Sequence, residues 1–171
     1  MDSSLPRRAL GALLGLALMV GAAAPTHGQG RSGEGGLPVP RYVSLRSDDV
    51  NLRAGPGARY PVDWVFKRRN LPVEVVAEFE HWRRIRDWQG TEGWVHQSML
   101  SARRYVMVAA TMGELRRQPE RAGEVVARAE TGVLAQLIEC RDIWCRVDAA
   151  GHRGWVERKA LWGVYPDETV K

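Results

Sequence analysis

The sequence predicts an all-β protein made of two copies of one small barrel, and three observations carry that prediction. The chain repeats itself: "LPVEVVAEFEHWRRIRDWQGTEGWVHQSML" from Leu71 lies over "VLAQLIECRDIWCRVDAAGHRGWVERKAL" from Val133. Short β-branched runs such as "YVSL", "VNLR", "VDWVF" and "PVEVVAEF" alternate with Gly, Pro and Asp, which is the pattern of strands and turns. No segment sustains a 3.6-residue apolar period, and "GEVVARAE" is the one stretch that reads as a candidate helical turn.

The chain opens with a basic pair, Arg7 and Arg8, followed by an uncharged Ala/Leu/Gly run from Ala9 to Ala24 and then small residues. That is the layout of a secretory signal peptide, assigned to residues 1–28. The run falls short of the ~20 apolar residues of a membrane span, so no span is expected after cleavage. No cysteine follows it, which excludes a lipid anchor. The expected location is the periplasm or outside the cell. Residues 29–40, "QGRSGEGGLPVP", read as a flexible leader. Two units follow, 41–105 and 106–166, each near the lower size limit for folding alone.

Within the repeat, Trp82 falls on Trp144, Arg84 on Arg146, and Gly93-Trp94-Val95 on Gly154-Trp155-Val156. Upstream, "NLRAGPG" from Asn51 falls on "ELRRQPE" from Glu114. The glycines before Trp94 and Trp155 are expected where a strand bends to close a barrel. Both tryptophans are assigned to the cores, because rings supply much of the buried area of a small domain.

The formal charge is +5, and Lys67, Lys159 and Lys171 are the only lysines. Acidic residues are interleaved throughout, so the charge reads as a solvated surface. Together with export, that excludes nucleic acid as a partner.

Both cysteines sit in "IECRDIWCRV", residues 138–147. On the repeat alignment Cys140 corresponds to Glu78 and Cys145 to Arg83: an opposite-charge pair in one unit, a thiol pair in the other. Both are what a directly opposed cross-strand pair shows, so a hairpin with "RDIW" as its loop brings the sulfurs together. In an oxidising compartment the product is a disulfide. A zinc site would need two more ligands, with only His81, His96 and His152 left in the mature chain. A redox pair would more usually be spaced Cys-x-x-Cys. The same register sets Val76 opposite Ile85 and Ile138 opposite Val147. It also leaves Val73, Val75 and Leu137 on the other face, so either a bulge intervenes or both faces are covered.

"NLRAGPGARYPV" followed by "WRRIRDWQGTEGWVHQSMLS" resembles the bacterial SH3-like domain, in the subgroup found in exported proteins of Gram-negative bacteria. "CRDIWCRVDAAGHRGWVERKAL" is similar to the cysteine-bearing copies of that group. The resemblance implies a five-stranded, partly open β-barrel in each unit, acting as a targeting or binding module. The second unit departs from it, since "RRQPERAGEV" replaces the Gly-Pro-Gly-x-x-Tyr loop.

Catalysis is not expected. The only thiols are the hairpin pair, the two repeats leave no room for a catalytic domain, and His96 two residues from Ser98 makes no triad. No metal or other cofactor is expected. The candidate ligand-binding residues are Tyr60, Trp82 and Trp88, with Arg53 and Arg84 supplying charge to a carboxylate. Rings at loops and hairpin tips are where barrels bind. Gly55 and Gly57 are expected to adopt angles barred to other residues and to bring Tyr60 near Trp82. The sequence thus reads as an exported, non-catalytic module recognising a peptide, peptidoglycan or an envelope protein. The alternative is an accessory or regulatory subunit of a separate cell-wall hydrolase. The first unit is expected to bind and the second to support it.

Overall fold

The computed structural model describes residues 31–33 and 35–171, so the signal-peptide reading of 1–28 lies outside the described residues. A short hairpin, β1 (Arg31–Ser32) with β2 (Pro38–Val39), precedes the first unit. That unit runs β3 (Arg41–Leu45), β4 (Val50–Arg53), β5 (Val62–Phe66), β6 (Pro72–Phe79), β7 (Trp82–Arg86), β8 (Glu92–His96) and β9 (Leu100–Ser101). The second repeats it as β10 (Tyr105–Val108), β11 (Met112–Arg116), β12 (Val125–Glu130), β13 (Leu134–Arg141), β14 (Trp144–Ala149), β15 (His152–Glu157) and β16 (Leu161–Trp162). A 3₁₀ turn sits before each last strand, at Gln97–Met99 and Arg158–Ala160.

The two sheets have one topology. Their orders are β5-β4-β8-β7-β6-β3-β9 and β12-β11-β15-β14-β13-β10-β16, which coincide strand for strand. Seven segments stand where five strands were expected, because the long loop of each unit is itself edged by a hairpin (β4–β5, β11–β12). "GEVVARAE", read as a candidate helical turn, contributes β12: Ala127 and Ala129 turn inward while Val126 and Arg128 face solvent, and period two prevails over the short apolar run.

Each barrel closes through a single residue pair, Arg53 opposite Trp94 and Arg116 opposite Trp155. A Cβ on Gly93 would stand 2.6 Å from Leu52 Cγ, and one on Gly154 would stand 2.8 Å from Leu115 Cβ. The glycines therefore serve close approach: the leucine fills the space a side chain would take, and both leucines are buried. Alternation along the strand then turns Trp94 and Trp155 to the outer face; this corrects the core assignment of Trp94, whereas Trp155 is buried, as expected. Trp94 is half-buried there, and Trp155 is covered by the Arg141 guanidinium 5.6 Å from its ring.

The hairpins carry the expected pairs, Glu78 opposite Arg83 and Cys140 opposite Cys145, the latter joined as a disulfide. The expected pairing of Val76 with Ile85 and Ile138 with Val147 is corrected. Val75 faces Ile85 and Leu137 faces Val147, with the register shifting between Val75 and Ala77 and between Leu137 and Glu139. One extra residue per strand, Val76 and Ile138, switches the inward face, so that Val75 before the bulge and Glu78 after it, like Leu137 and Cys140, all turn inward. "RDIW" is tighter than a four-residue loop, since Arg141 pairs with Trp144 across Asp142–Ile143.

The barrels pack on each other. Met107 joins the first unit's core, with Leu134 and Trp162 against it. The Tyr105 amide donates to Ser44 Oγ at 3.1 Å. Tyr42 lies 4.6 Å from Tyr165 and 5.3 Å from Trp162, ring to ring, and Tyr165 donates its hydroxyl to Glu74 at 2.8 Å. Burial first, and the nearby Glu74 charge second, push the Tyr42 hydroxyl up to about 12. Arg104 pairs with Glu168 and donates to the Gly163 carbonyl. Gly163, at φ +109°, passes where a side chain would strike Tyr105 O at 2.9 Å.

Replacing Cys140 and Cys145 together by Ala should lower stability by about 2 kcal/mol and leave the β spectrum by circular dichroism intact. Tyr165→Ala removes the inter-unit hydroxyl and ring contacts. Calorimetry should then resolve one cooperative transition into two.

Candidate functional site

Register partners share a face, so the outer surface of β4, β8, β7 and β6 can be read in rows. Phe79, Trp82 and His96 form the row at the hairpin tip. Ala77, Arg84, Trp94 and Arg53 form the next, and Glu74, Arg86 and Glu92 the last. The last row is closed off where Tyr165 of the second unit takes Glu74. The upper two rows stay open, with Phe79 exposed and Trp82, Trp94 and His96 half-buried.

Of the expected residues, the fold brings Trp82, Arg84 and Arg53 onto this face, and it adds Trp94. Tyr60 lies in the adjoining loop 54–61, which Arg53 holds by donating from Nη1 to the carbonyls of Tyr60 at 2.7 Å and Ala58 at 3.2 Å. Arg116 does the same for the second unit's loop through the Gly123 carbonyl. Arg84 pairs with Glu92 at 2.8 Å, and Arg86 with Glu92 and Glu74. Arg84 and Arg86 are therefore matched by carboxylates of the face, while Arg53 is engaged by the loop carbonyls. Trp88 is exposed in the β7–β8 turn, separated from Trp82 by the whole of β7.

The loop glycines work differently from expectation. Neither Gly55 nor Gly57 adopts a positive φ. The Tyr60 ring lies over them, 2.5 Å from where a Gly55 Cβ would be and 3.3 Å from one on Gly57. Tyr60 is thus packed within its own loop, with Arg59 over its ring at 5.4 Å. Among the described residues no ring contact joins it to Trp82. The ring that meets Trp82 is His96, edge-on at 5.4 Å; its place one register partner away was legible in the "WVH" of β8.

Glu78 and Arg83 face inward beneath the tip, their side chains 1% and 9% exposed, with Arg83 Nε 3.0 Å from Glu78 Oε1. A buried charge pair needs every remaining donor and acceptor matched. Glu78 also accepts from Arg41 at 2.6 Å and from the Gly35 amide at 2.9 Å. Arg83 also donates to the carbonyls of Glu80 and Trp82 and to Gln97 Oε1. The stretch read as a flexible leader is here a hairpin whose turn supplies one of those donors. Burial works against the Glu78 charge, but the Gly35 and Arg41 hydrogen bonds outweigh it and hold the carboxyl below its ordinary value. In the second unit the disulfide occupies the same place among core residues, and the Cys140 amide donates to the Val170 carbonyl of the C-terminal segment.

His96 Nδ1 stands 2.7 Å from Ser98 Oγ and also accepts from the Ser98 amide. That is a cap on the 3₁₀ turn, local to three residues. The second unit has an apolar cleft of about 370 Å³ between Ile143, Leu161, Val164 and Pro166, with Arg121 and Lys159 at its rim paired to Glu157.

The Glu78 charge stabilises the fold above the pH at which an unfolded Glu titrates, about 4.3. That contribution is lost as pH falls through the lower, folded value. Glu78→Gln should cost about 3 kcal/mol at neutral pH and flatten the acid limb of a pH–stability curve measured by urea unfolding. A variant as acid-sensitive as the wild type would contradict this assignment.

A family model described as "Bacterial SH3 domain" matches residues 46–102 and again 109–163. The chain is similar to the solved structure of NlpC2 from Trichomonas vaginalis, at 13% identity and a TM-score of 0.35, over 77% of this chain and 51% of that one. It is also similar to NlpC1 from Trichomonas vaginalis, at 16% identity and a TM-score of 0.33, over 72% and 45% respectively. The chain thus spans about half the length of these two proteins. No curated protein sequence matches it.

Proposed function

Since the chain belongs to the bacterial SH3 domain family, in two adjacent copies, we propose that it is an exported, non-catalytic module that binds a peptide or peptidoglycan in the cell envelope. The observation that carries this reading is the open aromatic face of the first unit, Trp82 and Trp94 beside the loop of Tyr60. Two half-buried indoles on a rigid sheet offer area at little conformational cost. Arg53 holds the loop that borders them. The second unit packs against the first at Tyr42 and Glu74, and so fixes the orientation of the face without covering its upper rows.

A second reading, an accessory subunit of a separate cell-wall hydrolase, draws on the apolar cleft of the second unit. Its floor of Leu161 and Val164 suits a protein side chain better than a wall polymer.

Sedimentation with isolated sacculi tests the first reading. The mature protein should co-sediment by itself. Trp82→Ala combined with Trp94→Ala should abolish retention in a protein that stays folded by circular dichroism. Retention only in the presence of a hydrolase would favour the subunit reading instead.

A further inference from the structure

At the tip of the first unit stand two imidazoles, His96 within the Trp82 row and His81 in the turn before it, and their hydrogen bonds settle which nitrogen carries the proton. Arginine only donates, so the 2.8 Å contact from Arg83 Nη2 identifies the facing atom of Gln97 as its oxygen. The Gln97 amide nitrogen then faces His81 Nδ1 at 3.2 Å as a donor. His81 Nδ1 is therefore an acceptor, and the ring proton sits on Nε2. His96 Nδ1 accepts from the Ser98 amide, which cannot do otherwise than donate, so its proton also sits on Nε2.

Neither Nε2 has a partner among the described residues. The rings lie 6.1 Å apart, with His81 exposed and His96 half-buried. The same bonds argue against a metal. A metal-bound imidazole donates its other N–H to an acceptor, whereas here the other nitrogen of each ring meets a donor. Among the described residues no group of three or more potential ligands is placed to hold an ion. Nor does the tip offer a cation to a carboxylate. Arg83, the guanidinium beneath it, is engaged by Glu78, Gln97 and two carbonyls. What remains is a pair of neutral N–H donors beside an indole.

Resting on the binding role proposed above, we infer that His81, His96 and Trp82 form a subsite for an uncharged, amide-bearing saccharide. The apolar C–H face of the sugar packs on the indole, and its carbonyl and hydroxyl oxygens accept from the two Nε2–H groups. An apolar platform with a few fixed polar groups is how small-ligand sites combine affinity with orientation. Fixed neutral donors favour neutral acceptors over a peptide carboxylate, which would be left without a cation.

The probe is the tetramer of N-acetylglucosamine, titrated into the mature protein and followed by imidazole ¹⁵N spectra and tryptophan fluorescence. Both rings should show the Nε2–H form, and the sugar should shift both Nε2–H signals. His81→Ala and His96→Ala should each weaken binding about fivefold, as one lost hydrogen bond implies. His81→Gln, which keeps a donor, should recover most of that loss, a recovery that a purely structural role would not produce. Finding the Nδ1–H form, zinc binding at both rings, or histidine shifts with acetyl-Lys-D-Ala-D-Ala but not with the sugar would each overturn the subsite. If the His81→Ala/His96→Ala protein still sediments fully with sacculi, the subsite is wrong while the wider binding role stands. If the wild type does not sediment, the wider role is wrong.

Discussion

Each barrel depends on one close approach: a leucine of β4 or β11 occupying the space that a glycine of β8 or β15 leaves empty. With Leu52 2.6 Å from the Cβ position of Gly93, no side chain fits on the inner side of the strand there. The sheet can close only with that contact. Strand alternation then sends the next residue, Trp94, outward between Arg53 and Arg84. The open face and the loop that Arg53 holds beside it follow from that contact.

The hairpin beneath the face shows one structural problem solved in two ways. Opposed inward positions near a barrel end hold a disulfide in the second unit and an ion pair in the first. The disulfide is nearly self-sufficient, and it sits in the core among valines and leucines. The ion pair is not, because burying two charges is unfavourable unless all their bonding capacity is met. Its demands draw in Arg41, Gln97 and the hairpin before the first unit. They also fix Gln97, and through it His81. The ion pair is therefore not the looser version of the brace; it is the one that organises its surroundings.

The repeat, the strands and the pairing of Cys140 with Cys145 were legible in the sequence because each rests on local periodicity and on the comparison of two copies. The bulges at Val76 and Ile138 were foreshadowed only as a conflict, since apolar residues fell on both faces of one strand. The placement of Trp94 was misread: "GWV" says that a glycine precedes a ring, but not which side of the sheet the glycine must face. That depends on Leu52, some forty residues earlier. The loop glycines were expected to bring Tyr60 to Trp82 through their backbone angles; instead the Tyr60 ring packs over them within its own loop. The inter-unit contact of Tyr42, Glu74 and Tyr165 carried no motif at all, since long-range packing leaves no spacing to read.

Amide hydrogen exchange on Gly93→Ala tests the central claim most directly, that closure of β4 on β8 sets the outer face. Exchange at Arg53 and Trp94 should quicken by at least about tenfold, as a local opening made easier by some 1.4 kcal/mol requires. Their counterparts Arg116 and Trp155, closed by an untouched Gly154, should keep their protection. Unchanged protection at Arg53 and Trp94, in a variant as folded as the wild type, would contradict the account.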